Sequence, residues 1–191
     1  MKIEFIYSPI YDNLLTDMSK KEFNEAQLKE MEFYKEELEA IWKKEESKII
    51  KEIEKISNLK FKINRQCFIV NSMRYTAISN PLTIKKEHIE RAKTILIHEL
   101  IHILFEDNKV KLKELIEKTY PEEAVEFKIH VPVLLITRKV IENLYGQKEF
   151  KIVLEKEMHI DLLNSVWPEV NTIYPKFKND IIKFLKNNHL K

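Results

Sequence analysis

Residues 94–104 read TILIHELIHIL, and within this stretch the pattern HELIH places three polar side chains, His98, Glu99 and His102. After Thr94 every other residue of the stretch is aliphatic, which predicts a buried helix. Four residues are about one helical turn, so the two imidazoles project from the same face and can bind one metal ion. Glu99 then lies beside the water that the ion activates.

This pattern is uncommon for a chain of this composition. With six His and twenty-six Glu among 191 residues, it arises by chance roughly 0.02 to 0.03 times per chain. Buried polar groups without partners cost several kcal/mol, and a metal ion is the simplest partner for all three. We therefore predict one Zn²⁺ per chain, although nitrogen ligands would also accept cobalt, nickel or manganese. Hydrogen-bonded core histidines are the alternative interpretation of His98 and His102.

The same block resembles the signature of the zincin metallopeptidases, in which the HExxH helix is flanked by uncharged residues. The resemblance covers residues 60–145, and the motif is its most specific part. It implies a small mixed sheet before the metal helix, with an edge strand that holds an extended substrate. Residues 74–79 are the candidate edge strand, and an ordinary core strand is the alternative.

A catalytic zinc site needs three protein ligands and one open position. The metzincin continuation of the motif would place Gly at 105 and His at 108, but the chain has Phe105 and Asn108. This difference excludes the metzincin branch. Resemblance to the gluzincins implies that the third ligand comes from a second helix, twenty or more residues further along the chain.

The helix predicted after Pro121 carries four candidates for this ligand: Glu122, Glu123, Glu126 and His130. Glu122 and Glu123 lie in its first turn, where a carboxylate complements the helix dipole, so we interpret both as surface charge. His130 lies among aliphatic residues, where an imidazole again needs a partner, and we predict it as the third ligand. Glu126, one turn earlier on the same face, is the alternative ligand or orients His130. With Glu126 as ligand, the site would follow the gluzincin pattern.

These residues predict that the chain is a hydrolase, a zinc-dependent metalloprotease. Zinc lowers the pKa of its water towards about 7 and polarises the scissile carbonyl. Glu99 takes the proton of this water as general base and delivers it to the leaving amine as general acid. A donor to the oxyanion is also expected, and Tyr120, Tyr145 and His159 are candidates. Spacing does not choose between them, and we prefer a structural role for each.

The predicted fold is α+β and mostly helical, with a small three- to four-stranded sheet before the motif helix. We expect a single zincin-like domain over residues 1–191. Within it, 1–58 form an N-terminal strand and a long helix, 60–145 form the catalytic core, and 147–191 form C-terminal helices. The sequence shows no linker or repeat that would divide these segments.

Periodicity and turn residues predict the individual elements. The predicted strands are residues 2–7, which a Ser8-Pro9 turn follows, and three short strands around 61–63, 67–70 and 75–78. The predicted helices are 19–58 with Ser19 as cap, 86–107, 111–118, 122–144 with a kink at Pro132 and Gly146 as C-cap, and two or three after 147 that Pro168 and Pro175 interrupt.

Composition limits the partners of the chain. Thirty-three basic and thirty-one acidic residues give a net charge of +2, so no global field concentrates nucleic acid or an anionic membrane. Cys67 is the single cysteine and cannot form an internal disulfide, which predicts a reducing, cytoplasmic location. The longest apolar runs are far shorter than the roughly 18 residues of a membrane span, so we expect a soluble protein. The predicted partner is a peptide or protein substrate; the oligomeric state is not determined.

Two other functions stay open at this point. A zincin-like regulatory or latent protein would bind metal but show little proteolytic activity, because its own segments cover the cleft. A structural helical protein with a coincidental motif would bind no metal, and chelation would not change its stability.

Overall fold

The computed structural model describes residues 1–15, 25–110, 116–117 and 119–189. Within these ranges the chain forms seven helices and one four-stranded mixed sheet, which confirms the α+β, mostly helical class. The strands are β1 (Ile3–Tyr7), β2 (Arg65–Val70), β3 (Ala77–Ser79) and β4 (Leu82–Lys85). The helices are α1 (Pro9–Leu15), α2 (Glu25–Ser57), α3 (Ile89–Asp107), α4 (Val125–Tyr145), α5 (Gln147–Glu157), α6 (Asp161–Phe177) and α7 (Ile181–His189).

Contacts within the chain define two compact units, residues 1–48 with 61–103 and residues 49–60 with 104–191. The first unit contains the sheet, and the second contains α4 to α7. The expectation of a single domain stays a prediction. None of the described helices combines the length and the apolarity that a bilayer-spanning segment needs.

The sheet of the first unit has the strand order β1-β2-β4-β3. β1 pairs with β2 and β2 pairs with β4 in parallel, whereas β3 and β4 are antiparallel. Side chains alternate between buried and more exposed positions along β1, with Ile3, Phe5 and Tyr7 buried, as its period of two predicted. β3 lies at one edge of the sheet, so the expectation that residues 74–79 contribute an edge strand is confirmed for 77–79.

The first part of α2 holds β1 through one buried indole. Trp42 is fully buried, and its ring meets Phe5 edge-on at a centroid distance of 6.5 Å. The Trp42 indole N–H donates to Glu46 Oε1 at 3.1 Å, and the backbone N–H of Ile3 donates to the same oxygen at 2.7 Å. The amphipathic pattern of the long helix is therefore confirmed, while its predicted cap Ser19 lies outside the described residues.

Two strand predictions in this unit are wrong. Phe61 and Ile63 form no strand, and Ile63 is 55% exposed, so two apolar residues at period two did not mark a buried face. Residues 82–84, which were not among the predicted strands, lie in β4. Leu82, Thr83 and Ile84 are all buried, so this central strand shows no alternation that could identify it.

The prediction of a turn at Ser8-Pro9 is also incomplete, because the helix α1 begins at Pro9. Asp12 in α1 is fully buried, and its Oδ1 accepts the backbone N–H of Asn71 at 2.9 Å, just after β2. Tyr11 packs against Phe68 of β2 at 4.9 Å between ring centroids. These tertiary contacts stabilise a helix that is too short to be predicted from periodicity.

The second unit packs α4 to α7 around an apolar core. Trp167 is fully buried, meets Phe150 edge-on at 5.5 Å, and donates its indole N–H to Glu157 at 2.9 Å. Pro168 and Pro175 lie inside α6, so the predicted interruptions are wrong. Both prolines are exposed and seven residues apart on the solvent face. Water can therefore satisfy the carbonyls that they leave without an intrahelical partner.

α4 begins at Val125, not at Glu122 as we expected. Lys128 explains the later start: its Nζ donates to the backbone carbonyl of Pro121 at 2.9 Å, and this carbonyl would otherwise accept the N–H of Val125. Lys128 is buried and also pairs with Glu117 at 3.1 Å. Pro132 lies inside α4, and its kink stays a prediction; the predicted helix 111–118 lies mostly outside the described residues.

Gly146 ends α4, as predicted, and α5 begins at the next residue. Its φ of 88° and ψ of 168° lie in a region that residues with a side chain rarely adopt, and its N–H donates to the Glu142 carbonyl at 3.0 Å. A Cβ at this position would meet no atom within 4 Å. The requirement for glycine here is therefore conformational and not steric.

We predict that Gly146→Ala lowers the free energy of unfolding by about 1 to 3 kcal/mol, the usual cost of holding a side-chain residue in this region. Urea denaturation measures the change. Gln147→Ala is the matched control, because Gln147 is the exposed neighbouring residue and its change should stay within about 0.5 kcal/mol. Equal midpoints for the two variants would contradict the prediction.

Candidate metal centre

α3 brings the two histidines of the motif together on one face, as their spacing predicted. The Nε2 atoms of His98 and His102 are 3.1 Å apart, and the ring centroids are 4.9 Å apart. His98 is buried and His102 is half-buried. The aliphatic neighbours Ile97, Leu100 and Ile101 are fully buried, so these two polar rings lie in an apolar helix.

The spacing of the two nitrogens fits a common metal ion. Imidazole nitrogens bind Zn²⁺ at about 2.0–2.1 Å, so two of them in a tetrahedral site lie about 3.3 Å apart. The observed 3.1 Å is close to this value. If the rings contacted each other directly, one nitrogen would have to donate an N–H to the other, because two lone pairs repel.

Glu99 follows His98 in α3, is half-buried, and contacts the edge strand of the sheet. Its Oε2 accepts a hydrogen bond of 2.5 Å from the hydroxyl of Ser79, the last residue of β3. Burial raises the pKa of Glu99 to about 7, and the Ser79 hydrogen bond works in the opposite direction. A carboxyl with this pKa can accept and release a proton near neutral pH.

The thiol of Cys67, in β2, is affected by the charge of Glu99. Cys67 is fully buried, and burial first, then the charge of Glu99, raises the pKa of its thiol far above the ordinary range. A buried free cysteine of this kind behaves as a small apolar core residue. Cys67 of β2 thus lies near enough to Glu99 for the charge of the carboxylate to act on the thiol.

His130 lies on α4 and is half-buried. Its Nδ1 is 2.7 Å from the backbone carbonyl of Glu126, and a carbonyl can only accept, so Nδ1 carries the proton and Nε2 carries the lone pair. Burial lowers the pKa of His130, against the opposing effect of Glu126, and so favours the neutral form that binds metals. His98 and His102 belong to the first compact unit and His130 to the second, and His130 as the third ligand stays a prediction.

The carboxylates considered as third ligands have other environments. Glu122, Glu123 and Glu126 are exposed, and the first two precede α4 instead of lying in its first turn. It is the backbone carbonyl of Glu126, not its carboxylate, that contacts His130. Glu126 therefore orients His130 through its main chain, an interaction that the side-chain pattern did not predict.

The three candidate oxyanion donors are also placed. The Tyr120 hydroxyl donates to Glu169, and burial followed by this bond raises its pKa. Tyr145 packs against the apolar core of the second unit, and His159 is exposed between α5 and α6. These environments favour structural or surface roles for all three.

Ser79 is the contact that sequence analysis missed. Residues 74–79 were considered as a strand, but nothing identified the Ser79 side chain as a partner of Glu99, twenty residues away. Its position before Pro81, where the strand ends, was the only local signal. A serine hydroxyl at a strand end is too common to indicate such a contact by itself.

No protein-family model, curated protein or solved structure matches the chain. The resemblance to zincins thus stays a prediction that rests on the sequence motif.

We predict that Cys67 does not react with an aromatic disulfide reagent in the native protein at pH 8, because the thiol is buried and its raised pKa suppresses the thiolate. The reagent should titrate no thiol in the native chain and one after denaturation. Tyr75→Cys is the control, since Tyr75 is 60% exposed and a thiol there should react at once. Rapid reaction of native Cys67 would show that the interior around Glu99 opens to solvent.

Proposed function

We propose that this chain is a zinc-dependent peptidase of the zincin type, with His98, His102 and His130 as metal ligands and Glu99 as general base and acid. The observation that carries the proposal is the convergence of the two Nε2 atoms at 3.1 Å on α3, on a helix whose Glu99, the residue after His98, has a pKa that burial raises to about 7. Spacing of this kind is what the HExxH pattern requires for metal binding and hydrolysis.

Three neutral imidazoles form a ligand set that suits zinc and leaves a fourth position for water or substrate. His130 is suited to this role because the Glu126 carbonyl fixes its protonated nitrogen and directs the lone pair to Nε2. When bound, the ion would polarise a substrate carbonyl and make water a stronger acid. Cobalt, nickel and manganese fit the same donors, so zinc itself is part of the proposal.

The chain's own part in the reaction is proton transfer by Glu99. Its carboxylate takes a proton from the attacking water and returns it to the nitrogen of the leaving amine. The buried setting next to β2 and β3 supports this role, because burial brings the pKa of Glu99 to about 7. A carboxyl with an ordinary pKa would return the proton less readily at neutral pH.

The proposed substrate is an extended peptide or protein segment. Among the described residues β3 pairs with β4 alone, so its other side is an edge to which an extended chain can add as a further strand. Ser79 at the end of β3 contacts Glu99, so this edge leads to the proposed reacting groups. We place the activity in the cytoplasm, because the single cysteine is buried and cannot form an internal disulfide.

We predict that protein purified without an affinity tag binds about one zinc per chain, and that His98→Ala, His102→Ala and His130→Ala each lower the bound zinc after dialysis. Loss of one of three ligands removes much of the binding free energy, since the remaining nitrogens must compete with water. Elemental analysis and competition with a chromogenic chelator measure content and affinity.

The matched controls are His88→Ala and His159→Ala, because both imidazoles are exposed and lie outside the proposed ligand set. Both should retain the zinc content of the native chain. Zinc that is lost with His98 but retained with His130→Ala would move the third ligand to another residue. A chain that stays free of metal after reconstitution would remove the proposal.

We predict that Glu99→Gln retains zinc but cleaves peptides about 10² to 10⁴ times more slowly, the usual contribution of a positioned acid–base group. Gln has nearly the same shape but cannot accept the proton. The measurement is cleavage of a mixed peptide library, followed by mass spectrometry, with the zinc content of both proteins determined in parallel. Glu37→Gln is the control, because Glu37 lies on α2 outside the proposed catalytic group.

Equal cleavage by the native chain and Glu99→Gln would reject the peptidase. If both also bind one zinc, the chain is instead the latent or regulatory metal-binding protein considered above. If neither binds zinc and chelation leaves the stability unchanged, the motif is structural.

A further inference from the structure

We propose that Ser79 is a positioning residue: its hydroxyl holds Oε2 of Glu99 and leaves Oε1 as the oxygen that exchanges protons with water and the leaving amine. This inference rests on the proposed function and assigns Ser79 a part in it. The observation behind it is the 2.5 Å hydrogen bond between Ser79 Oγ and Glu99 Oε2.

The position of Ser79 in the sheet makes it suitable for holding another side chain. Ser79 pairs with Leu82 in the antiparallel ladder, and Leu82 is 3% exposed. Ala77 pairs with Ile84 in the same ladder, and Ile84 in turn pairs with Ile69 of β2. The Ser79 backbone is therefore held by a strand connected to the buried centre of the sheet, and groups on such elements are placed more precisely than groups on loops.

Glu99 needs such a constraint more than the histidines do. Its side chain has three rotatable torsions, and ordering a side chain of this kind costs up to about 2 kcal/mol. The histidines have two torsions each and would be fixed by shared coordination. Glu99 would only exchange protons, so a hydrogen bond from the protein has to set its orientation before substrate arrives.

One hydroxyl on one oxygen also distinguishes the two oxygens of the carboxylate. The Ser79 Oγ–H donates to Oε2, and a serine hydroxyl has one proton to give. Oε1 does not share this bond and can turn its lone pairs to the reacting groups. Removal of the hydroxyl would make the two oxygens equivalent and let the carboxyl rotate.

The kinetic test compares Ser79→Ala and Ser79→Thr with the native chain on one peptide selected from the library. We expect Ser79→Ala to lower kcat about tenfold to a hundredfold with KM within twofold, because orientation matters in the reaction and not in binding. Zinc content should be unchanged. Ser79→Thr keeps the hydroxyl and should restore kcat to within about threefold.

Thr76→Val is the matched control. Thr76 directly precedes β3, and its backbone carbonyl accepts from the Lys85 N–H, so this hydrogen bond survives the change. Loss of this hydroxyl should leave kcat, KM and zinc content as in the native chain. A fall in kcat that Thr76→Val shares with Ser79→Ala would indicate general damage to the strand and overturn the proposal.

A second readout does not need activity. Urea unfolding of the metal-free chain is compared for the native protein, Ser79→Ala, Glu99→Ala and the double variant. If Ser79 holds Glu99, the midpoint shifts of the single variants will not add up to that of the double variant. Additive shifts would overturn the proposal whatever the kinetics show.

The two readouts separate this inference from the proposed function. Suppose that the midpoint shifts are not additive and that the native chain cleaves no peptide. The hydrogen bond from Ser79 would then be supported as the group that orients Glu99, while the peptidase assignment would fail. Cleavage by the native chain that Ser79→Ala matches in kcat would support the peptidase and overturn the role of Ser79.

Discussion

Three polar side chains on one buried aliphatic helix impose the main constraint on this protein. Most of the aliphatic residues between 95 and 104 are buried, and His98, Glu99 and His102 lie among them and need polar partners. Two contacts bear on this requirement: the Nε2 atoms of His98 and His102 are 3.1 Å apart, and Glu99 accepts the Ser79 hydroxyl. β3 of the sheet thus supplies one hydrogen-bond donor to this helix.

Features that depend on residues close in sequence were predictable. Local geometry determines three of them: the period of two in β1, the long apolar stripe of α2, and the glycine after α4. The convergence of His98 and His102 belongs to the same class, because one helical turn determines it. None of these predictions needs knowledge of the rest of the chain.

Features that depend on distant partners were not predictable. β4 lies between β2 and β3 and is buried on both faces, so its sequence does not alternate. α1 is stabilised by the hydrogen bond that Asp12 accepts from the backbone N–H of Asn71, just after β2. The later start of α4 depends on the Lys128 side chain, which occupies a main-chain carbonyl. The same reason applies to the candidate site: Ser79 reaches Glu99 only through the fold, and a carbonyl such as that of Glu126 has no signature in the sequence.

The parallel pairing of β1 with β2 has a consequence for how the chain folds. The ladder joins Ile3 to Arg65 and Tyr7 to Ile69, so each pair closes a loop of about sixty residues that contains the whole of α2. The β3–β4 hairpin and the successive helices α4 to α7 need only short closures. Contacts between residues far apart in sequence form later than local ones. We therefore expect β1 to join the sheet late, after the helix α2 that connects it to β2 has formed.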